Sequence, residues 1–467
     1  MDFYRSIDRY GELPAVLDPR HGEVSYRELC CEADKVKDAV EGRHLAFTVC
    51  TNSFESVVGY LGFLRAGLPQ LLVNHDLKAD LLENLIAQYQ PRYLWVPADR
   101  VEEIKQAEVS CVCGEYFLLS FPAHPGCEIH PDLALLLPTS GSTGSPKFVR
   151  QSFTNIICNA HSIASYLGIR QGDRPITTLP MSYTFGLSII NSHLLQGGTL
   201  ILTEKSLMEG GFWDLLRSAE ATTFGGVPYT YAMLKRLRFG RMDLPSLRYL
   251  TQAGGKLGRD MSEEFAHLCH QKGMRFFVMY GQTEATARMS YVPDHLSEEK
   301  AGSIGIAIPG GQFHLEDDGH RLITESDTIG ELVYRGDNVT MGYACGWEDL
   351  KLGDTRNGIL FTGDLAKRDR DGFYYIMGRK KRFLKLYGIR VSLDETESLL
   401  KAAGFDVVCT GRDDELVIHT TSQDAIIPIR ACLSTKTNLN VRGIRIEFIE
   451  TIPRNAAGKI SYAALTG

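Results

Sequence analysis

Between Leu45 and Pro97 the chain alternates two textures, and no other stretch restricts its fold as much. "LAFTVC" is a short apolar run, and "SFESVVGYLGFLRAG" has helical periodicity and stops at Gly67. "PQLLVN" is a second strand, "LKADLLENLIAQY" a second helix and "RYLWVP" a third strand. Continuous apolar strands separated by amphipathic helices indicate a parallel sheet covered on both faces. The same texture returns in "RPITTLP", "GTLILTE", "TTFGGVP" and "LRYLTQAGG", each read as a strand ending in a Gly- or Pro-marked loop. Ligands of such sheets collect at the carboxyl ends of the strands. No GxGxxG follows the first strand, which disfavours a dinucleotide fold of the NAD type.

At 467 residues the chain is too long for one core, given roughly 100–200 residues per domain. After Ala301 the strands shorten, as in "GELVYRGDN" and "GFYYIMGR", and the basic run "GRKKRFLKLYG" (Gly378–Gly388) marks a boundary. The expected architecture is α/β. A large N-terminal domain (residues 1–380) carries mostly parallel, helix-covered sheets plus a small β-subdomain, and a small mobile α+β domain follows (381–467). A net charge of −7 argues against a nucleic-acid binder but leaves room for a nucleotide in a local pocket. No run approaches the ~18 apolar residues of a membrane span, and Met1–Arg20 lacks the apolar core of a signal peptide. The 11 cysteines are scattered with no CxxC pair, which reads as reduced thiols in a cytoplasmic protein without zinc.

The segment "LLLPTSGSTGSPKFVR" (Leu135–Arg150) joins an apolar strand to a loop of Ser, Thr and Gly closed by Lys147. Glycines allow backbone N–H groups to point inward, hydroxyls add donors, and the lysine adds charge, which together suit phosphate. Taken alone, the loop reads equally well as a flexible surface loop. The Walker form is absent, since Lys147 follows Pro146 and precedes Phe148, so an ordinary P-loop kinase or GTPase is disfavoured.

Four further motifs follow in order: "YGQTE" (Tyr280–Glu284), "FTGD" (Phe361–Asp364), "GR" (Gly378–Arg379) and "PRNAAGK" (Pro453–Lys459). With "TSGSTGSPK" they closely resemble the adenylate-forming superfamily of acyl-CoA synthetases, peptide-synthetase adenylation domains and luciferase. The resemblance runs roughly from residue 20 to the end. It implies an ATP-dependent acid–thiol ligase that uses Mg²⁺. A carboxylate attacks the α-phosphorus of ATP, pyrophosphate leaves, and a thiol then displaces AMP from the acyl-adenylate. The alternative within this resemblance is acyl transfer to an amine or hydroxyl, giving an amide, ester or lactone.

The resemblance also implies roles position by position. Thr139, Ser140, Gly141, Ser142, Thr143, Gly144 and Lys147 would wrap the β- and γ-phosphates. Thr283 would hold the α-phosphate, and Glu284 would bind Mg²⁺. Tyr280, followed by Gly281, would stack on adenine against a thin wall of Ala253, Gly254 and Gly255. Asp364 would bind the ribose hydroxyls with Arg379 behind it. Lys459 would bridge the carboxylate and the α-phosphate during adenylation. Lys381 stands where the family often has an acidic residue, and it would serve as the hinge of the small domain.

By the same resemblance "LPMSYTFGLSII" (Leu179–Ile190) and "FGGVPYTY" (Phe224–Tyr231) line the acid pocket. The pocket residues would be Tyr183, Thr184, Phe185, Gly225, Gly226 and Val227, with Gly225 and Gly226 leaving room for a ring or chain. Amino-acid-activating members carry an aspartate where this chain has neutral Thr184, so a free α-amino acid is disfavoured and an aryl or acyl acid preferred. Residues 381–467 hold 12 Lys/Arg and 10 Asp/Glu, so the small domain is the basic part of an acidic chain. That balance favours the phosphopantetheine arm of an acidic carrier protein as acceptor, with coenzyme A close behind.

Overall fold

The strands Ala46–Cys50 and Tyr93–Pro97 are buried at every position, as strands covered on both faces should be. The computed structural model describes residues 2–104, 107–122, 128–138, 147–380, 382–386, 389–412, 414–436, 443–455 and 458–465. Thr139, Ser140, Gly141, Ser142, Thr143, Gly144 and Lys381 lie outside the described residues.

An eight-stranded sheet runs in the order Gly342–Ala344, Phe148–Ser152, Leu133–Pro138, Gln70–Asn74, Ala46–Cys50, Tyr93–Pro97, Tyr116–Ser120, Glu108–Cys113. Its middle is parallel and its flanks are antiparallel. The expected helices form as Phe54–Arg65, capped by the Ser53 side chain, and Ala79–Tyr89. Leu133–Pro138 pairs with Phe148–Ser152 with Pro138 opposite Phe148, so Lys147 stands just outside the hairpin's last pair. Ser152 then caps the helix Phe153–Leu167 through a reciprocal pair with Asn155.

A second sheet places Thr223–Gly226, Tyr249–Gln252 and Arg275–Tyr280 side by side in parallel, followed by antiparallel Ser290–Tyr291 and Ile306–Ala307. "RPITTLP" is not a full strand. It contributes only the isolated bridges Pro175↔Thr223 and Ile176↔Ile201, and "GTLILTE" shrinks to Leu200–Ile201. Further on, Leu322–Ile323, Gly311–Glu316, Gly330–Gly336, Ile359–Arg368 and Tyr374–Arg379 form a five-stranded sheet. The C-terminal residues build an α+β layer from the helices Leu393–Ala402 and Ile426–Lys436 and the strands Val407–Arg412, Glu415–Thr420 and Ile444–Phe448.

The chain divides into two compact units, Met1–Gln312 with Arg335–Leu360, and Phe313–Tyr334 with Phe361–Gly467. Most of the five-stranded sheet thus packs with the C-terminal residues. The expected 380/381 boundary falls within the second of these units. Among the described residues no helix is long and apolar enough to cross a membrane.

Candidate active site

In the first unit, the carboxyl ends of the three parallel strands of the second sheet bring three of the singled-out segments together: Gly225–Val227, Ala253–Gly255 and Tyr280–Glu284. Gln252 donates from Nε2 to the carbonyls of Ala253 (3.2 Å) and Gly255 (3.0 Å), which folds that loop back on itself around Gly254 at φ +83°. Tyr280 is half-buried, and its hydroxyl accepts from Gln282 Nε2 at 3.2 Å.

The turn after Tyr280 is held in an unfavourable shape. Thr286 (φ +62°) and Ala287 (φ +147°) both occupy the left-handed half of backbone space, at a cost of about 1–3 kcal/mol each. A Cβ on Gly281 would lie 1.7 Å from the Ala287 carbonyl oxygen, so only glycine permits the approach. Side chains fix the turn from outside. Thr286 Oγ1 donates to the Asn338 carbonyl (2.7 Å), and Asn338 Nδ2 donates to the carbonyls of Ala285 and Arg288 (2.9 Å each). Gln151 Nε2 reaches the Thr283 carbonyl at 3.4 Å, and Thr340 donates to the Glu284 carbonyl through N–H (3.1 Å) and Oγ1 (3.0 Å).

That scaffold aims Glu284 at Tyr343 of the first sheet, whose ring in turn faces Lys147. The Tyr343 hydroxyl donates to Glu284 Oε1 at 2.8 Å, and Lys147 Nζ lies 3.4 Å from the centroid of the Tyr343 ring. Arg356 also sits over this ring at 4.8 Å. Burial first, then the negative charge of Glu284, raises the Tyr343 pKa, so the hydroxyl stays a donor. Glu284 Oε2 has no hydrogen-bond partner among the described residues. One carboxylate beside two cations cannot enclose a metal alone, and no cluster of three metal-ligating side chains occurs among the described residues. Such an arrangement fits Mg²⁺, which keeps its waters and takes one or two carboxylates together with substrate phosphates.

The proposed acid-pocket residues lie beside this turn, with one correction. Thr184 is buried and donates to the Thr286 carbonyl at 3.2 Å, so its hydroxyl steadies the turn. The rings of Tyr183 and Phe185 meet edge-on at 6.4 Å. Gly225 and Gly226 do not leave open room for a ring. A Cβ on Gly225 would meet Ile189 at 2.9 Å and Phe185 at 3.0 Å, and one on Gly226 would meet Thr230 at 2.7 Å, because neighbouring side chains already fill both spaces.

Asp364, Arg379 and Lys459 belong to the second unit. Asp364 is buried, sits opposite Arg379 in the paired strands, and accepts from Arg379 Nε at 3.1 Å. Lys459 lies in a turn closed by the Arg454↔Ile460 bridge, with its N–H on Asn455 Oδ1 at 3.0 Å. The sequence reading missed Tyr343 and Arg288. A tyrosine in "MGYACG" and the one basic residue in "TEATARMS" were the available signals.

A family model described as "AMP-binding enzyme" matches residues 3–344. A 2-succinylbenzoate–CoA ligase from Bacillus subtilis is 30% identical over 344 residues, which is 70% of this chain and 67% of that protein. An indoleacetate–CoA ligase from Aromatoleum aromaticum is 27% identical over 98% of this chain and 96% of its own length. The solved O-succinylbenzoate coenzyme A synthetase (MenE) from Bacillus subtilis with AMP superposes at a TM-score of 0.80 and 22% identity, covering 100% and 98% of the two chains. The same enzyme with ATP and magnesium ion gives 0.79 at 21% identity, covering 100% and 99%.

Proposed function

Because the chain belongs to the family of AMP-binding enzymes, we propose that it is an AMP-forming acid–thiol ligase. It activates an aryl or acyl carboxylic acid as the acyl-adenylate and passes the acyl group to a pantetheine thiol. The observation that carries this reading is the convergence of Lys147, Tyr343 and Glu284 beside the strained turn at the carboxyl end of a parallel sheet. Two anions must meet in adenylation, so a cation and a metal-competent carboxylate on a rigid turn are what the step requires.

In this reading Lys147 and the loop from Thr139 to Gly144 neutralise the outer phosphates, and Thr283 holds the α-phosphate. Glu284 holds Mg²⁺, which when bound offsets phosphate charge. Tyr280 and Ala253–Gly255 flank the adenine. Asp364 accepts from the ribose hydroxyls, with Arg379 completing its charge balance. Tyr183 and Phe185 wall the acid, and neutral Thr184 leaves no carboxylate for an α-ammonium. Lys459 assists adenylation from the small domain, residues 381–467, which turns about Lys381 between the half-reactions.

The names of the relatives favour coenzyme A as the acceptor, and the basic small domain keeps the phosphopantetheine arm of a carrier protein as the competing acceptor. The described cysteines are free thiols, which accords with a cytoplasmic setting. The test is product analysis with ATP, Mg²⁺, coenzyme A or a holo-carrier, and a panel of aryl and alkyl acids. Equal amounts of AMP, pyrophosphate and thioester are expected. ADP with phosphate, or an amide or ester product, refutes the assignment.

A further inference from the structure

Among the described residues three arginines are buried: Arg100, Arg150 and Arg288. Two of them have oxygen acceptors within the protein. Arg100 donates to the carbonyls of His75 and Leu77 and pairs with Glu103 at 2.6 Å. Arg150 donates to the carbonyls of Met341, Tyr343, Leu352 and Gly353. Arg288 has neither kind of partner. Its Nε–H points to Met279 Sδ at 3.4 Å, the Tyr166 hydroxyl donates to the same sulfur at 2.9 Å, and its Cζ lies 3.9 Å from the centroid of the Phe185 ring. No carboxylate among the described residues forms an ion pair with it.

A buried guanidinium with a thioether, a phenol and an aromatic face for company is poorly compensated. Burial accordingly pulls its pKa below the ordinary arginine value, with only the Tyr166 and Tyr183 hydroxyls acting against it. A hydrophobic residue of similar volume would cost less there, so the charge calls for an anion that arrives with a ligand. Its position says which ligand. Arg288 belongs to the segment that carries Thr283 and Glu284, and the ring it covers is Phe185, whose edge fills the space beside Gly225. The reacting carboxylate and the phosphates have their own cations in Lys147, Lys459 and Mg²⁺, which leaves Arg288 surplus to the transfer chemistry.

We infer that Arg288 recognises a second carboxylate, carried by the acyl substrate away from the carboxyl group that is activated. The substrate class is therefore a dicarboxylic acid. A planar guanidinium backed by an aromatic ring presents its N–H edge to a carboxylate in the bidentate manner, while Tyr183 and Phe185 receive the apolar body of the acid. This inference rests on the adenylating function proposed above and narrows it.

The test is ATP–pyrophosphate exchange with matched pairs, each a dicarboxylic acid and its monoester on the same skeleton, in the native protein and in Arg288→Met. The native protein should favour each accepted diacid over its monoester by about tenfold or more in kcat/KM, the effect of a hydrogen-bonded charge. Arg288→Met should lose or reverse that preference while keeping exchange with the monoester. Its melting temperature should not fall, since it removes a poorly compensated buried charge. Equal use of both members by the native protein, or an equal loss for both in the variant, overturns the inference and leaves the adenylating function standing. If the variant does not fold, the native comparison decides alone. If no acid of either kind supports exchange, the adenylating reading falls, and this inference with it.

Discussion

Replacing Tyr343 by Phe removes the hydroxyl that donates to Glu284 Oε1 and keeps the ring that faces Lys147. A hydrogen bond to a charged group contributes about 1.5–3 kcal/mol. Tyr343→Phe should therefore raise the Mg²⁺ concentration needed for half-maximal exchange by roughly tenfold, with thermal stability little changed. An unchanged Mg²⁺ requirement would show that Tyr343 does not orient Glu284. Asp364 invites a parallel substitution, because it is buried and paired with Arg379, whose side chain is 63% exposed. Asp364→Asn keeps the shape and weakens charge-assisted hydrogen bonds to the ribose. Titration should show ATP affinity reduced by at least about tenfold with an unaltered melting temperature. Unfolding without a specific loss of nucleotide binding would make Asp364 structural.

At the scale of single elements, the turn between Tyr280 and Ser290 depends on Gly281. Gly281→Ala would drive a methyl group into the Ala287 carbonyl, and overpacking against fixed backbone costs about 1–3 kcal/mol or more. Exchange activity should fall more steeply than stability, because the turn positions both Thr283 and Glu284. The helix Thr184–Leu195 contributes a pH dependence. His193 is buried, with Nδ1 on the Ile189 carbonyl (2.8 Å) and Nε2 on the Tyr249 hydroxyl (3.1 Å). Burial lowers its pKa from 6.5 to about 4, the hydrogen bond to Ile189 and nearby Asp173 oppose that shift, and Arg248 adds to it. Below the unfolded value the unfolded chain takes up the proton and the folded protein does not, so stability falls as the pH drops from 6.5 towards 4. The slope approaches one proton, ~1.4 kcal/mol per pH unit. Denaturant titrations of His193→Gln over the same window should show a shallower slope. An identical slope would mean that other groups carry the dependence.

These elements also show what could be read in advance. The alternation from Ala46 to Pro97 was legible because strands buried on both faces leave long apolar runs, whichever neighbours they have. "RPITTLP" has the same texture but finds only single bridges, since pairing depends on partners distant in the chain. The glycines of Thr223–Gly226 were read as open space, yet a glycine is as readily explained by a neighbour that fills the gap, and here Phe185 and Thr230 do so. Tyr343 and Arg288 were invisible for a related reason. Their significance comes from Glu284 and Phe185, which only the tertiary fold brings alongside.

For the whole molecule, the proposed function requires two half-reactions served by different arrangements of one chain. Lys459→Ala should lose adenylation yet still transfer a supplied acyl-adenylate to thiol, and Lys381→Pro should do the opposite by stiffening the hinge. Equal loss of both halves in both variants would remove the basis for a moving small domain. The most direct test of the central claim, formation of an acyl-adenylate, is exchange of labelled pyrophosphate into ATP with Mg²⁺ and a carboxylic acid but no thiol. The account predicts acid-dependent exchange that stops when the acid is withheld. ATP consumption that proceeds only with thiol present and yields ADP would contradict it.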